Sequence, residues 1–266
     1  MLLKIIQIIF VLNISALFCD ATKRRTEFYE ANAFPSPLDD LKTEPYRKIV
    51  SHSHPRSCAE ATAHSLNSGI YEIHIPNHIQ HPFKVFCDAT TQGGNWTVIL
   101  RRTDGSVDFY RKWNTYKKGF GDLDGEFFLG LDKIHALTAE FSQELIVILE
   151  DFEGNKAYEI FEKFAIGDED EEYAIHTLGE AHGTAGDSLS DNFRQKFTTF
   201  DRDHDTWSKG NCAESQKAAW WYHSCSKSHL TGKYNGLNFS GIYYEKFNGF
   251  ESLKRATMML RPRTTF

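Results

Sequence analysis

Three carboxylates stand at alternate positions in Asp201-Arg202-Asp203-His204-Asp205-Thr206-Trp207. A hard cation such as calcium takes about six to eight oxygen ligands, and carboxylates gathered in a tight turn can supply part of that shell. The EF-hand form of this chemistry is ruled out by position. Counted from Asp201, the sixth residue is Thr206, where a Gly makes the turn, and the twelfth is Cys212, where a bidentate Glu is required. The competing reading is an acidic turn held by Asx-type hydrogen bonds, with no metal.

The other acidic and imidazole groups point elsewhere. In Asp168-Glu169-Asp170-Glu171-Glu172 consecutive carboxylates face different directions, which predicts a solvated loop. His52 and His54 form an H-x-H pair without further ligands, and the twelve His are otherwise scattered. No C-x-x-C pair exists, so zinc is not indicated. Neither G-x-S-x-G nor H-E-x-x-H occurs, and the chain reads as non-enzymatic. Formal charge is −6, with both signs interspersed and no Lys/Arg stripe. That excludes nucleic acid and an anionic membrane surface as partners.

Residues 1–21 read as a secretory signal peptide. A Lys4-bearing start is followed by an apolar stretch from Ile5 to Phe18, roughly 14 residues where a membrane helix needs about 20, so no membrane insertion is expected. Cleavage after Ala21 or just after Cys19 removes Cys19 either way. Cys58, Cys87, Cys212 and Cys225 remain, an even number in an oxidising compartment, which predicts disulfides. Three pairings are open. The sequence-local one would close loops stabilising the fold by about 3.6 and about 3 kcal/mol.

Residues 22–56 are polar and broken by Pro35, Pro37, Pro45 and Pro55, the composition of a flexible linker. They carry no G-X-Y repeat and no heptad, so neither a collagen stalk nor a coiled coil is encoded there. The folded region, residues 57–264, opens with a helix expected over Cys58 to Asn67. Strands are expected at Tyr71–Ile75, Phe83–Cys87, Trp96–Arg102, Leu145–Glu150, Ala157–Phe161 and Tyr173–His176. Phe128, Leu131, Ile134 and Leu137 have helical spacing. From Gly179 to Gly249 Gly, Asn, Asp and Ser accumulate between aromatic residues, which predicts a long functional loop region. The apolar run Ala256 to Pro262 predicts a final strand returning to the central sheet.

Seven ordered segments carry a resemblance: Cys58-Ala59-Glu60-Ala61, Gly94 to Arg102, Phe128 to His135, Gly183 to Leu189, Gly210-Asn211-Cys212-Ala213, Trp220-Trp221-Tyr222 and Met258 to Pro262. Together they resemble the fibrinogen C-terminal domains of ficolins, tachylectins, tenascins and angiopoietins, from Cys58 to Arg263. The resemblance implies an α+β fold. One globe would hold an N-terminal disulfide subdomain, a central antiparallel sheet completed by the C-terminal strand, and a loop-rich calcium and ligand subdomain. It implies the local cysteine pairing too.

The function implied is that of a secreted recognition protein, lectin-like or pattern-recognising in innate immunity, binding a carbohydrate or acetylated ligand. The alternative is an extracellular signalling or matrix ligand for a cell-surface protein. Carried over by position, Asp203 and Asp205 give carboxylates to calcium, Trp207 its carbonyl, and Lys209 or Gly210 the last carbonyl. The loop is one residue longer than the family's, and His204 replaces the usual Asn. The family's acetyl pocket would lie at a cis Ser224–Cys225 peptide, with Ser226, Tyr222, Gln216, Asn238 and Phe239 around it. Gln216 replaces an expected Tyr and Ser226 an expected His, so acetyl binding is expected to be lost or changed unless Tyr222, Tyr243 and Tyr244 rebuild the pocket. Asn95-Trp96-Thr97 and Asn238-Phe239-Ser240 are glycosylation sequons, the second at the pocket mouth.

Overall fold

The computed structural model describes residues 54–263. The expected signal peptide, His52 and most of the expected linker lie outside the described residues. Seven strands form the main path of one antiparallel sheet: β1 (Gly69–Ile73), β2 (Phe83–Asp88), β3 (Trp96–Arg102), β4 (Gln143–Glu150), β5 (Lys156–Ile166), β6 (Ile175–Leu178) and β7 (Arg255–Pro262). Their spatial order is β1-β2-β3-β7-β4-β5-β6. Short strands at Phe120–Gly121, Phe127–Phe128 and Ala181–Gly183 extend it to ten.

The last strand thus lies in the middle. Met258 pairs with Leu100 of β3 on one side and Val147 of β4 on the other. Central strands are covered on both faces, which is why β3 and β4 read as continuous apolar, β-branched runs instead of alternating ones. Helix α1 (Cys58–Thr62), helix α2 (Trp113–Lys118), helix α3 (Leu131–Glu140) and helix α4 (Cys212–Gln216) complete the regular structure used below. α3 buries Leu131, Ile134 and Leu137 against β5. No helix among the described residues is long and apolar enough to cross a membrane.

Several boundaries differ from the sequence expectation: β1 spans Gly69–Ile73 and not Tyr71–Ile75, and β5 runs past Phe161 to Ile166. α1 stops at Thr62, and Leu66 turns out to solvent with φ 52°. α3 starts at Leu131 because Gly130 has φ +116° and a Cβ there would sit 2.7 Å from the Lys118 backbone. Phe127 and Phe128 instead pair with Arg101 and Leu100. Tyr173 has φ 51°, so the strand expected there begins at Ile175.

Cys58 is bonded to Cys87 and Cys212 to Cys225, with Cα–Cα distances of 5.3 and 5.6 Å. The first bond ties α1 to β2. The second lies in the loop-rich piece, whose interior consists of aromatic rings: Trp220, Trp221, Tyr222, Tyr243 and Tyr244 are all fully buried. With so little regular structure, this piece holds its shape through side chains. Buried Asn192 donates to the Trp221 carbonyl and to Ser226 Oγ and accepts from Ser228 Oγ, all at 2.7–2.8 Å. Such a buried network is stable only when each member is partnered, as here.

Candidate functional site

The loop from Asp201 to Cys212 is organised by its own acids. Asp201 Oδ1 accepts the Trp113 backbone N–H at 2.9 Å, joining the loop to the start of α2. Asp203 Oδ1 accepts the Asp205 N–H at 3.3 Å, while Asp205 accepts the N–H of Trp207 at 2.8 Å and of Cys212 at 2.7 Å. Burial pushes the Asp205 carboxyl above its ordinary range, and the neighbouring Asp203 carboxylate adds to the shift. Two adjacent carboxylates with no cationic partner among the described residues fit a hard cation, whose charge would relieve that repulsion.

Those two carboxylates do not make a full shell. Among the described residues no group of three or more His, Cys, Asp and Glu side chains is gathered to hold a metal. Backbone carbonyls and water would supply the remaining oxygens. The Trp207 carbonyl accepts the Gly210 N–H at 3.2 Å and has a second lone pair. Gly210 itself packs under the indole, where a Cβ would lie 2.9 Å from the Trp207 ring. His204 turns inward, with Nδ1 2.9 Å from the Phe197 carbonyl.

Beside this loop is a cleft of about 660 Å³. It brings together Gln216, Ser224, Cys225, Ser226, Asn238 and Phe239, six of the seven residues expected around the pocket. Tyr222, the seventh, is fully buried, and its hydroxyl lies 2.8 Å from His229 Nε2, so it belongs to the core and not to the wall. Trp207 also lines the cleft, and the Thr206 N–H donates to the His223 carbonyl at 3.0 Å. The acidic loop and the cleft are therefore one continuous structure.

The Ser224–Cys225 peptide is cis. No described residue accepts the N–H of Cys225 or of Ser226. Ser226 Oγ, by contrast, is taken up by Asn192 and by the Ser228 carbonyl. The aromatic wall that the sequence led us to expect lost is present in another form. Phe239 and Phe250 lie 4.8 Å apart, with Tyr243 behind them at 6.3 and 5.3 Å. The hydroxyl of buried Tyr243 lies 3.2 Å from both Gln216 Oε1 and the Ser226 carbonyl, which share its single proton, and so positions the floor. Tyr244 is buried as well, and the three Tyr build no exposed pocket.

Sequence reasoning missed Phe250, Asp191 and Lys227, which also line the cleft. It also missed a buried anchor of the loop-rich piece. Arg102, fully buried, donates to the carbonyls of Gly232 at 2.6 Å and Leu230 at 3.2 Å, and lies 3.4 Å from Glu126. Glu126 accepts the N–H groups of Thr103, Asp104 and Val107. The acidic run after Asp168 is not simply solvated, since Glu169 binds Trp113 Nε1, Lys117 and Arg202. Of the two sequons, Asn238 is exposed, whereas Asn95 is half-buried and accepts from Thr62 Oγ1 at 3.4 Å.

The family described as the fibrinogen beta and gamma chains, C-terminal globular domain, matches residues 54–263. The chain belongs to the fibrinogen C-terminal domain family. This fibrinogen-type globe is not an enzyme. It is 42% identical to human angiopoietin-related protein 6 over 86% of this chain and 52% of that protein. Mouse tenascin-R is 43% identical over 79% of this chain and 16% of its own length. The chain spans about half or less of the curated relatives it matches. A lamprey fibrin D-dimer, solved in complex with the peptide ligand Gly-His-Arg-Pro-amide, superposes with a TM-score of 0.74 at 31% identity, over 82% of this chain and 77% of that one.

Proposed function

We propose that this fibrinogen-type globe is a secreted recognition protein that binds a segment of an extracellular protein, in signalling or in the matrix. The observation that carries the reading is the Cys225 cleft. It offers two uncommitted backbone N–H groups beside the Phe239–Phe250 wall, with Asp191 and Lys227 at the rim. A peptide group with an apolar side chain suits that combination, and few precisely placed polar groups in an apolar setting are what fix a ligand's orientation. The relatives named for angiopoietin and tenascin, and the peptide complex of the fibrin neighbour, support a protein ligand. Calcium held by Asp203 and Asp205, with the Trp207 carbonyl, stiffens the loop that forms one side of the cleft.

A second reading is lectin-like recognition of an acetylated sugar. The same N–H groups would receive the acetyl carbonyl and the same rings its methyl group, a contact of roughly 0.8 kcal/mol for one buried carbon. The secreted protein, with and without calcium, should be applied to arrayed receptor and matrix ectodomains and to arrayed acetylated glycans. Ectodomain binding that weakens in Phe239→Ser supports the first reading. Silence on ectodomains, with calcium-dependent glycan binding that acetate displaces, overturns it.

A further inference from the structure

Six large apolar side chains are exposed among the described residues, and four of them line a single second cleft. They are Leu237, Phe239, Phe152 and Phe250, with exposures of 81, 53, 45 and 38%. Isolated exposed apolar residues are ordinary; a contiguous group marks a docking surface. This cleft, of about 420 Å³, shares the Leu237-Asn238-Phe239 turn and Phe250 with the first. Its polar rim is different. Glu153 and Glu251 are exposed there, no Lys or Arg lines it, and neither carboxylate is ion-paired among the described residues.

The Leu237-Asn238-Phe239 turn between the two clefts is held in place. The Lys233 N–H donates to the Ser240 carbonyl at 2.8 Å, and Gly236 is so close to Gly241 that a Cβ would lie 2.9 Å from it. Phe152 leans on Tyr234 with ring centres 6.1 Å apart. Aromatic anchors already held in place lose little entropy on binding.

We propose that this second cleft docks a segment of a protein partner in which large apolar side chains are flanked by Lys or Arg. The inference rests on the protein-ligand reading above and extends it to a second face. The apolar side chains cover Leu237, Phe152 and Phe250, and the cations meet Glu153 and Glu251. The acidic rim decides against other occupants. A second copy of this chain, packed about a two-fold axis, would set the same carboxylates against each other. An anionic lipid surface would be repelled as well.

The test is a selection of short random peptides on the secreted protein, followed by titration of an enriched peptide. Enriched sequences should place Lys or Arg beside Leu, Phe or Trp. Glu153→Gln with Glu251→Gln should weaken binding about tenfold or more and flatten its salt dependence; Leu237→Ser should weaken it to a similar degree. All three residues are exposed, so the variants should fold. Neutral or acidic winners, or indifference to the Glu pair, overturn the proposal. A dimer that Leu237→Ser dissolves overturns it in favour of a second copy. Peptides lost in Asp191→Asn but unaffected by the second-cleft variants refute this site while leaving the first cleft's reading intact, and a selection without winners sinks both.

Discussion

The Asp205 carboxylate accepts the backbone N–H of Cys212 at 2.7 Å, so the acidic loop is fastened to the residue whose disulfide partner, Cys225, lies in the cleft. A change in charge at Asp205 therefore reaches the cleft through one hydrogen bond and one covalent bond.

The first prediction is a reversal of sign at Asp203. In chelator, Asp203→Asn removes the like charge beside Asp205 and should raise the melting temperature. In millimolar calcium it should lower it, because a site filled a hundredfold above its Kd stabilises by about 2.7 kcal/mol. The pH dependence agrees. A carboxyl raised above its unfolded value contributes stability below the unfolded pKa and loses it as pH rises through the folded one, so chelated protein weakens on that rise. Calorimetry showing the same shift in both buffers would rule out the calcium site.

His229 makes the opposite case. Burial, with the Arg102 charge adding to it, lowers its pKa to about 3. Its folded pKa lies below the unfolded value of about 6.5, so the unfolded chain binds the extra proton and stability falls as pH drops through that window. The loss is about 2 kcal/mol at about pH 5. His229→Gln should remove it, which denaturant melts at two pH values will show.

How far the residue pattern could be read shows in where it worked. β3 and β7 are legible because strands covered on both faces need apolar runs, and Trp96–Leu100 and Ala256–Leu260 are such runs, the first of them rich in β-branched residues. The cleft was legible only near Cys225, where the family motif lies. Phe250 follows Asn248-Gly249 in a stretch without periodicity, so nothing local indicates which way its ring points. The family motif around Cys225 puts Tyr222 in the wall, yet the chain turns its ring inward to His229. The run around Glu169 reads as solvated because its carboxylates face different directions, and nothing local marks the partners Trp113 and Lys117, more than fifty residues away.

Glu126→Ala should destabilise the domain by about 3–5 kcal/mol, the usual result of leaving a buried Arg without its partner. It removes the acceptor of three backbone N–H groups as well as the Arg102 pair. Because Arg102 holds the Leu230 and Gly232 carbonyls, exchange of backbone amides should rise over residues 230–241 more than in β4. Uniform exchange across both regions would count against this anchoring.

Asn238 should carry a glycan when the protein is secreted from a glycosylating cell, since the sequon lies in an exposed turn. Mass analysis before and after enzymatic deglycosylation decides occupancy. Deglycosylation or Asn238→Gln should tighten ligand binding at the flanking clefts severalfold, and unchanged affinity would mean that the sugar points away.

The central place of Arg255–Pro262 also bears on synthesis. A ribosome delivers Trp96–Arg102 and Gln143–Glu150 long before the strand that fits between them, and until then both present open edges lined with apolar side chains. The nascent globe cannot close in the order in which it is made. Its half-built sheet needs shelter from other chains until residue 262 has emerged, and any truncation ahead of Arg255 makes that exposed state permanent.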